Sequence, residues 1–184
     1  MNPLYPIFLK TEQLEILLVG GGFVALEKLT FLFKSSPNAK VLLVAPMIRE
    51  EVQVLGKQFN ITFVTDFYNE SYLTNKHLVI ASTDNPEVNL KVYNHCRNRQ
   101  ILVNVADNPP LCDFYMGGIV TKGNLKIAIS TNGKSPTLAK RFREMMEEVL
   151  PENIDELLES LNEYRKTLKG NFEQKMEILD KLTK

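Results

Sequence analysis

Through Val105, short apolar runs alternate with longer stretches in which apolar residues recur every three or four positions. The first run, Leu14 to Val19, is long enough for a buried strand. Gly20, Gly21 and Gly22 follow, and Val24, Ala25, Leu26, Leu29, Leu32 and Phe33 then recur at helical spacing. Ser35-Ser36-Pro37-Asn38 stops that helix. Lys40 to Val44 predicts a second strand, closed by Ala45-Pro46, and Arg49 to Phe59 a helix with Val52, Leu55 and Phe59 on one side. Ile61 to Val64 predicts a third strand, Tyr68 to Leu73 a helical turn, and His77 to Ala81 a fourth strand. Asn85 is placed to cap a helix with Pro86 in its first turn, running through Val88, Val92 and Cys96. Ile101 to Val105 predicts a fifth strand. Strands alternating with helices imply βαβ units, hence an α/β fold with a mostly parallel sheet. Pro3 to Leu9 is apolar but broken by proline, and reads as an edge segment leading into the first strand.

After Cys112 the pattern changes. Phe114 to Thr121 and Leu125 to Ser130 predict two strands joined by Lys122-Gly123-Asn124. In the second, Leu125, Ile127 and Ile129 alternate with Lys126 and Ala128, so one face is buried. A two-stranded ribbon is marginal in water without a partner surface, which favours packing against a second subunit. Ser135-Pro136 starts a helix whose Leu138, Phe142, Met145, Met146 and Val149 form an amphipathic stripe. Beyond Pro151, Ile154, Leu157, Leu158, Leu161, Tyr164 and Leu168 predict another helix, which Gly170 stops. Phe172, Met176, Leu179 and Leu182 predict a last one, so the tail is a helical hairpin.

The glycines after the first strand turn this pattern into chemistry. Gly20, Gly22 and Ala25 form G-x-G-x-x-A between a strand and a helix. Gly20 permits the tight turn, Gly22 lets a pyrophosphate approach the backbone, and Ala25 lets helix and strand pack closely. The helix N-terminus then offers free N–H groups to the phosphates. Ligands in such sheets bind beyond the carboxyl ends of the strands, here Gly20–Phe23, Ala45–Met47, Ser82–Asn85 and Ala106–Asn108. Many dinucleotide folds carry an acid at the end of the second strand, to hold the ribose. This chain has Ala45-Pro46-Met47 instead, with Arg49 close by, and NAD is favoured over NADP only weakly. Ser82, Thr83 and Asp84 border the same crevice, and Asp84 also suits a helix start.

Asp107 follows the fifth strand on the cofactor side; it is a candidate catalytic acid, or a turn former before Asn108-Pro109-Pro110. Ser135 is a helix cap by its local sequence, or a hydroxyl for an anionic ligand. Lys134, Lys140, Arg141 and Arg143 make that segment basic, as a solvated helix face also would. Cys112 reads as a small buried filler and Asp113 as a turn cap. His77 and His95 read as structural or solvated.

Composition narrows the classes. Lys and Arg number 22 and Asp and Glu 22, so no charge excess points to nucleic acid or a membrane surface. No apolar run approaches the roughly 20 residues of a membrane span. The N-terminus lacks a basic start before a long apolar segment, so no secretory signal is expected. Cys96 and Cys112 form no C-x-x-C pair and the two histidines are far apart in sequence, so a reduced cytoplasmic protein without a metal site is expected.

Taken together, these stretches resemble precorrin-2 dehydrogenase, the sirohydrochlorin-forming module also found at the N-terminus of multifunctional siroheme synthases. The resemblance rests on Pro6 to Leu9, VGGGFVALEK from Val19 to Lys28, Leu42 to Pro46, IASTDNPEVN from Ile80 to Asn89, LVNVADNPPLCDFYMGGIV from Leu102 to Val120, and LKIAISTNGKSPTLAKRFRE from Leu125 to Glu144. It implies a Rossmann-like NAD-binding domain over residues 1–112, a small α+β dimerisation and substrate segment over 113–149, and a helical tail over 150–184. It implies oxidation of precorrin-2 to sirohydrochlorin with NAD as hydride acceptor, in a homodimer that exchanges the segment after the first domain. Some stand-alone members of the family insert ferrous iron as well. Asp107 matches the family's catalytic aspartate and Ser135 a serine near the tetrapyrrole. Phe23-Val24 and Pro46-Met47 match cofactor contacts, beside Gly20, Gly21, Gly22, Ser82, Thr83 and Asp84 of the crevice. Lys134, Lys140 and Arg141 suit the carboxylates of the substrate. Two residues depart from the family pattern. Gly117 stands where proline is common, which would loosen the crossover, and Phe23 where an acidic or small residue is common. Two rival readings remain at this stage: a non-catalytic NAD-responsive regulatory subunit, and a chelatase-only homologue.

Overall fold

Five strands lie side by side in the computed structural model, which describes residues 2–183: β1 (Glu15–Val19), β2 (Lys40–Val44), β3 (Ile61–Val64), β4 (Leu78–Ala81) and β5 (Leu102–Val105). Their order is β3-β2-β1-β4-β5 and every pairing is parallel. The crossovers carry α1 (Phe23–Ser35), α2 (Glu50–Gly56) and α3 (Pro86–Asn98). Parallel strands need such crossovers, and helices on both faces leave near-continuous apolar strands buried twice. Accordingly Leu17, Leu18, Val79 and Leu43 are fully buried. One face packs Ile16, Leu18 and Leu43 with Ala25, Leu29 and Phe33 of α1 and Val52 of α2. Phe33 stacks on Phe59 there, ring centroids 4.4 Å apart. The other face packs Leu17, Val79 and Val103 with Val92 and Cys96 of α3. Each such side chain contributes about 2 kcal/mol by leaving water.

β5 is an edge strand, and the chain that follows covers it. Asp113 N–H donates to Val103 O at 2.8 Å, and the Asp113 carboxylate accepts from Val103 N–H at 3.0 Å. The Cys112 sulfur accepts from Val105 N–H at 3.3 Å. Asn104, buried, donates to Phe114 O at 2.8 Å. These bonds consume the donors and acceptors that an open edge would offer to another chain. They also explain one difference from the sequence expectation. Residues 114–117 are not strand: Phe114 O is taken by Asn104 of β5, and Phe114 and Met116 pack on the core of this first unit.

Two further differences are local. α2 stops at Gly56 rather than Phe59, since glycine is a poor helix former and turns carry the chain onward. Residues 2–10 form no regular structure, and Tyr5 and Phe8 are exposed. Pro3 and Pro6 cannot donate to a ladder.

This first unit ends at Met116. The second, from Gly117 on, holds β6 (Gly118–Lys122) and β7 (Leu125–Ile129), an antiparallel pair, and the helices α4 (Pro136–Val149), α5 (Ile154–Thr167) and α6 (Phe172–Leu182). Val120 and Ala139 are buried, and an added Cβ at Gly118 would meet Ala139 O at 3.4 Å and Arg143 Cβ at 3.6 Å. The ribbon therefore finds a partner surface on α4 of its own chain. Its turn is held from two helices: Asp155 of α5 accepts from Asn124 N–H at 2.6 Å, and Lys122 Nζ donates to Leu150 O, at the C-terminal cap of α4, at 2.6 Å. At Gly117 a Cβ would strike Ile129 O, so the backbone there lies directly against the ribbon. Among the described residues no helix is long and apolar enough to cross a membrane.

Candidate functional site: the glycine loop and the turn after β5

The loop between β1 and α1 is tied down on both sides. Gly20 N–H donates to Val44 O at 3.0 Å, and Ser82 N–H donates to Val19 O at 2.8 Å. Gly20 has φ +123°, and a Cβ there would lie 2.6 Å from Ser82 O. Only glycine fits both demands. At Gly21 a Cβ would strike Met47 O, so this glycine brings the loop against the turn after β2. Gly22 differs: an added Cβ would meet nothing within 4 Å. It is the N-cap of α1 and offers no side chain to cap the helix, so the first N–H groups of α1 are left without a capping partner from it. These are the features a pyrophosphate requires, an approachable backbone and unpaired donors at the positive end of a helix. The residues fit a dinucleotide.

Around this opening stand Phe23, which is 68 % exposed, and Met47, 81 % exposed, with Val24 on α1 and Pro46 exposed in the turn after β2. Arg49 stacks on Phe23, its guanidinium carbon 3.5 Å from the ring centroid. Its N–H donates to Gly21 O at 3.0 Å and its Nη2 to Glu51 at 2.8 Å. That last bond holds the Glu51 carboxyl below its usual range. Ser82 and Thr83 face inward. Ser82 Oγ donates to Val19 O at 3.2 Å, and Thr83 Oγ1 lies 2.7 Å from Asn89 Oδ1. Asn89 is buried and donates back to Thr83 O at 2.9 Å, so this pair shapes the crevice wall. Asp84 is exposed at the rim, and Asn85 caps α3 through Glu87 and Val88 N–H.

Asp107 lies two residues past β5, exposed, at the same sheet end as the glycine loop. Its φ is +57°, a conformation that asparagine and aspartate tolerate best among residues with a Cβ. The turn is braced from beneath by Cys112, whose thiol lies 3.2 Å from Val105 O and 3.3 Å from Asn108 O. Burial pushes that thiol's pKa up, and it drives the Cys96 thiol to about 12. Neither sulfur is a poised nucleophile.

In the second unit, Ser135 caps α4 by accepting from Leu138 N–H at 3.2 Å. Lys134, Lys140 and Arg141 are exposed around the start of that helix, and Lys140 lies 3.8 Å from Glu144. Among the described residues, no group of three or more His, Cys, Asp or Glu side chains is arranged to hold a metal ion. His77 accepts from Glu15 N–H at 2.9 Å and His95 pairs with Tyr68 at 3.2 Å, both structural contacts. The sequence reading missed three features: the stack of Arg49 on Phe23, the sulfur brace under Asp107, and Asp113 as an edge latch. The only signal for the last two was the density of small polar residues from Asn104 to Asp113.

Comparison with known proteins agrees with this geometry. The family described as "Putative NAD(P)-binding" matches residues 7–118, and "Sirohaem biosynthesis protein central" matches residues 122–148. A siroheme synthase of Pseudoalteromonas atlantica is 37% identical over 168 residues, covering 91% of this chain and 36% of that protein. One from Psychrobacter arcticus is 36% identical, covering 90% of this chain and 30% of that protein. The chain thus spans about a third of the length of these curated relatives. A solved structure, "SirC, precorrin-2 dehydrogenase", shares the fold, with a TM-score of 0.74 at 24% identity over 98% of this chain and 90% of that one. With its glycine loop, all-parallel sheet and open helix N-terminus in the matched region, the chain belongs to this NAD(P)-binding family, as its motifs imply.

Proposed function

We propose that this chain oxidises precorrin-2 to sirohydrochlorin with NAD, in the cytoplasm, as a homodimer. The observation that carries the reading is Asp107. It is an exposed carboxylate held in a left-handed turn at the sheet end that presents the glycine loop. Functional groups are often kept in such sparsely populated backbone conformations. The names of the relatives, siroheme synthase and precorrin-2 dehydrogenase, support the substrate.

The reaction removes a hydride and a proton from a reduced tetrapyrrole. Bound NAD supplies the hydride acceptor. Gly20, Gly21 and Gly22 with the first N–H groups of α1 hold its pyrophosphate, and Phe23, Val24, Pro46 and Met47 line its path. Ser82, Thr83 and Asp84 form the wall on the β4 side. Asp107 takes the proton as general base. Lys134, Lys140 and Arg141 with Ser135 bind the substrate carboxylates through charge-assisted hydrogen bonds. Where ferrous iron is inserted into the product as a further substrate, the same Asp107 receives the pyrrole protons. The exposed Leu138, Phe142, Met145 and Val149 of α4 supply the apolar face for the second copy.

The test is the absorbance of purified protein with freshly generated precorrin-2, with and without NAD. An NAD-dependent sirohydrochlorin spectrum supports the proposal. No change while NAD binding is intact overturns it, and sirohydrochlorin plus ferrous iron then tests for a chelatase.

A further inference from the structure

One basic side chain stands against the glycine loop. Arg49 is fastened there by its backbone, through Gly21 O, and by its guanidinium, through the face of Phe23. Its Nε is buried and has no hydrogen-bond partner, while Glu51 engages Nη2. A guanidinium carries five donors in a fixed fork, so one exposed carboxylate leaves most of that capacity unspent. Gly21 abuts Met47 O and the Cα of Ile48, so the turn that carries Arg49 is packed onto the loop that receives the pyrophosphate.

The turn after the second strand of such a sheet meets the adenosine ribose. An acid there accepts from the 2′-hydroxyl and repels a 2′-phosphate, whereas a nearby arginine accommodates the phosphate. Here the turn reads Ala45-Pro46-Met47, with no charge, and Arg49 follows. We propose that Arg49 is a specificity residue that receives an adenosine 2′-phosphate, so that this chain binds NADP about as tightly as NAD. This rests on the nucleotide-binding reading above and extends it. Phe23 and Arg49 act as a unit. The ring holds the guanidinium beside the loop, which gives the departure at Phe23 a purpose.

Isothermal titration calorimetry of the full chain with NAD and with NADP, each alone at low ionic strength, tests it. The dissociation constants are expected within about threefold of each other. Arg49→Gln weakens NADP by about tenfold or more and changes NAD by less than about twofold. Glu51→Gln removes a competing carboxylate and tightens NADP alone, by about threefold. NADP binding ten or more times weaker than NAD in the parent overturns the inference. So does an Arg49→Gln variant with an unchanged melting temperature that weakens both nucleotides equally, because Arg49 then serves the loop or the pyrophosphate. If the parent binds neither nucleotide, the nucleotide reading falls and takes this inference with it.

Discussion

Asp113→Ala would open the edge of β5 from within. In the native chain the Asp113 carboxylate accepts from Val103 N–H at 3.0 Å, and Arg97 Nη1 donates to it at 2.8 Å. Val103 is fully buried, so the alanine variant leaves a buried donor unpaired. A hydrogen bond to a charged group contributes about 1.5–3 kcal/mol. The Arg97 pair adds about 0.5 kcal/mol at most, because Arg97 is largely exposed and screened. The Asp113 N–H bond to Val103 O survives the substitution. The expected loss is therefore about 2–3 kcal/mol, or about 8 °C in melting temperature for a chain of this size. Asp113→Asn keeps a carbonyl acceptor for Val103 and gives up the charge, so it should cost about 1 kcal/mol. Thermal melts followed by circular dichroism measure both, and hydrogen exchange at Val103 N–H reports the site directly. An alanine variant within about 2 °C of the parent, with Val103 still protected, would refute the latch.

The other expectations concern the glycine loop, the thiols and the α4 face. Gly20→Ala forces a Cβ against Ser82 O at φ +123°, at a cost of about 3 kcal/mol, and calorimetry should show nucleotide affinity falling together with the melting temperature. The buried Cys96 thiol keeps its proton up to about pH 12, while an ordinary thiol loses it near 9. Between those values the unfolded chain binds fewer protons than the folded one, so stability falls as pH rises, and melts across that window should steepen downward. Cys96→Ala should lower stability at neutral pH but flatten that slope, part of which persists because burial also raises the Tyr68 phenol. Phe142→Glu, on the exposed stripe of α4, should turn a dimer into a monomer by light scattering with little change in melting temperature. A parent chain that is already monomeric would refute the dimer.

Local grammar made much of the sheet legible. β2 and β3 run over the residues expected, because each is an apolar run bounded by breakers: Pro37-Asn38 and Pro46 for the first, Asn60 for the second. The caps at Asn85 and Ser135 were legible for the same reason, since each is a short polar side chain directly before proline. What stayed hidden depends on contacts between distant segments. The Arg49–Phe23 stack exists because Gly21 lets the turn after β2 lie on the loop after β1, a closeness that no periodicity encodes. Cys112 looked like filler because a thiol has weak hydrogen-bonding character, and only the fold puts four polar atoms around it. Residues 114–117 looked like strand because Phe114, Tyr115 and Met116 are apolar, but Phe114 and Met116 pack on the core of the first unit instead.

Asp107 is where the bland and the chemical readings can be separated, because its conformation and its charge can be changed one at a time. Its φ of +57° is strained for most residues with a Cβ, and asparagine tolerates it nearly as well as aspartate. Asp107→Asn therefore keeps the turn and removes the carboxylate, whereas Asp107→Ala removes the carboxylate and adds about 1 kcal/mol of strain. If the residue only shapes the turn, asparagine should leave turnover intact and alanine should lower the melting temperature by about 3 °C. If it is the general base, both variants should lose turnover by about a hundredfold or more while the asparagine variant melts with the parent. Cys112 tests the same turn from below. Cys112→Ser keeps a donor and acceptor beneath Asn108 O and should retain most turnover, and Cys112→Ala should lose more. Near-parental turnover in Asp107→Asn would take the proton-transfer role from this residue and leave it a bend in the chain.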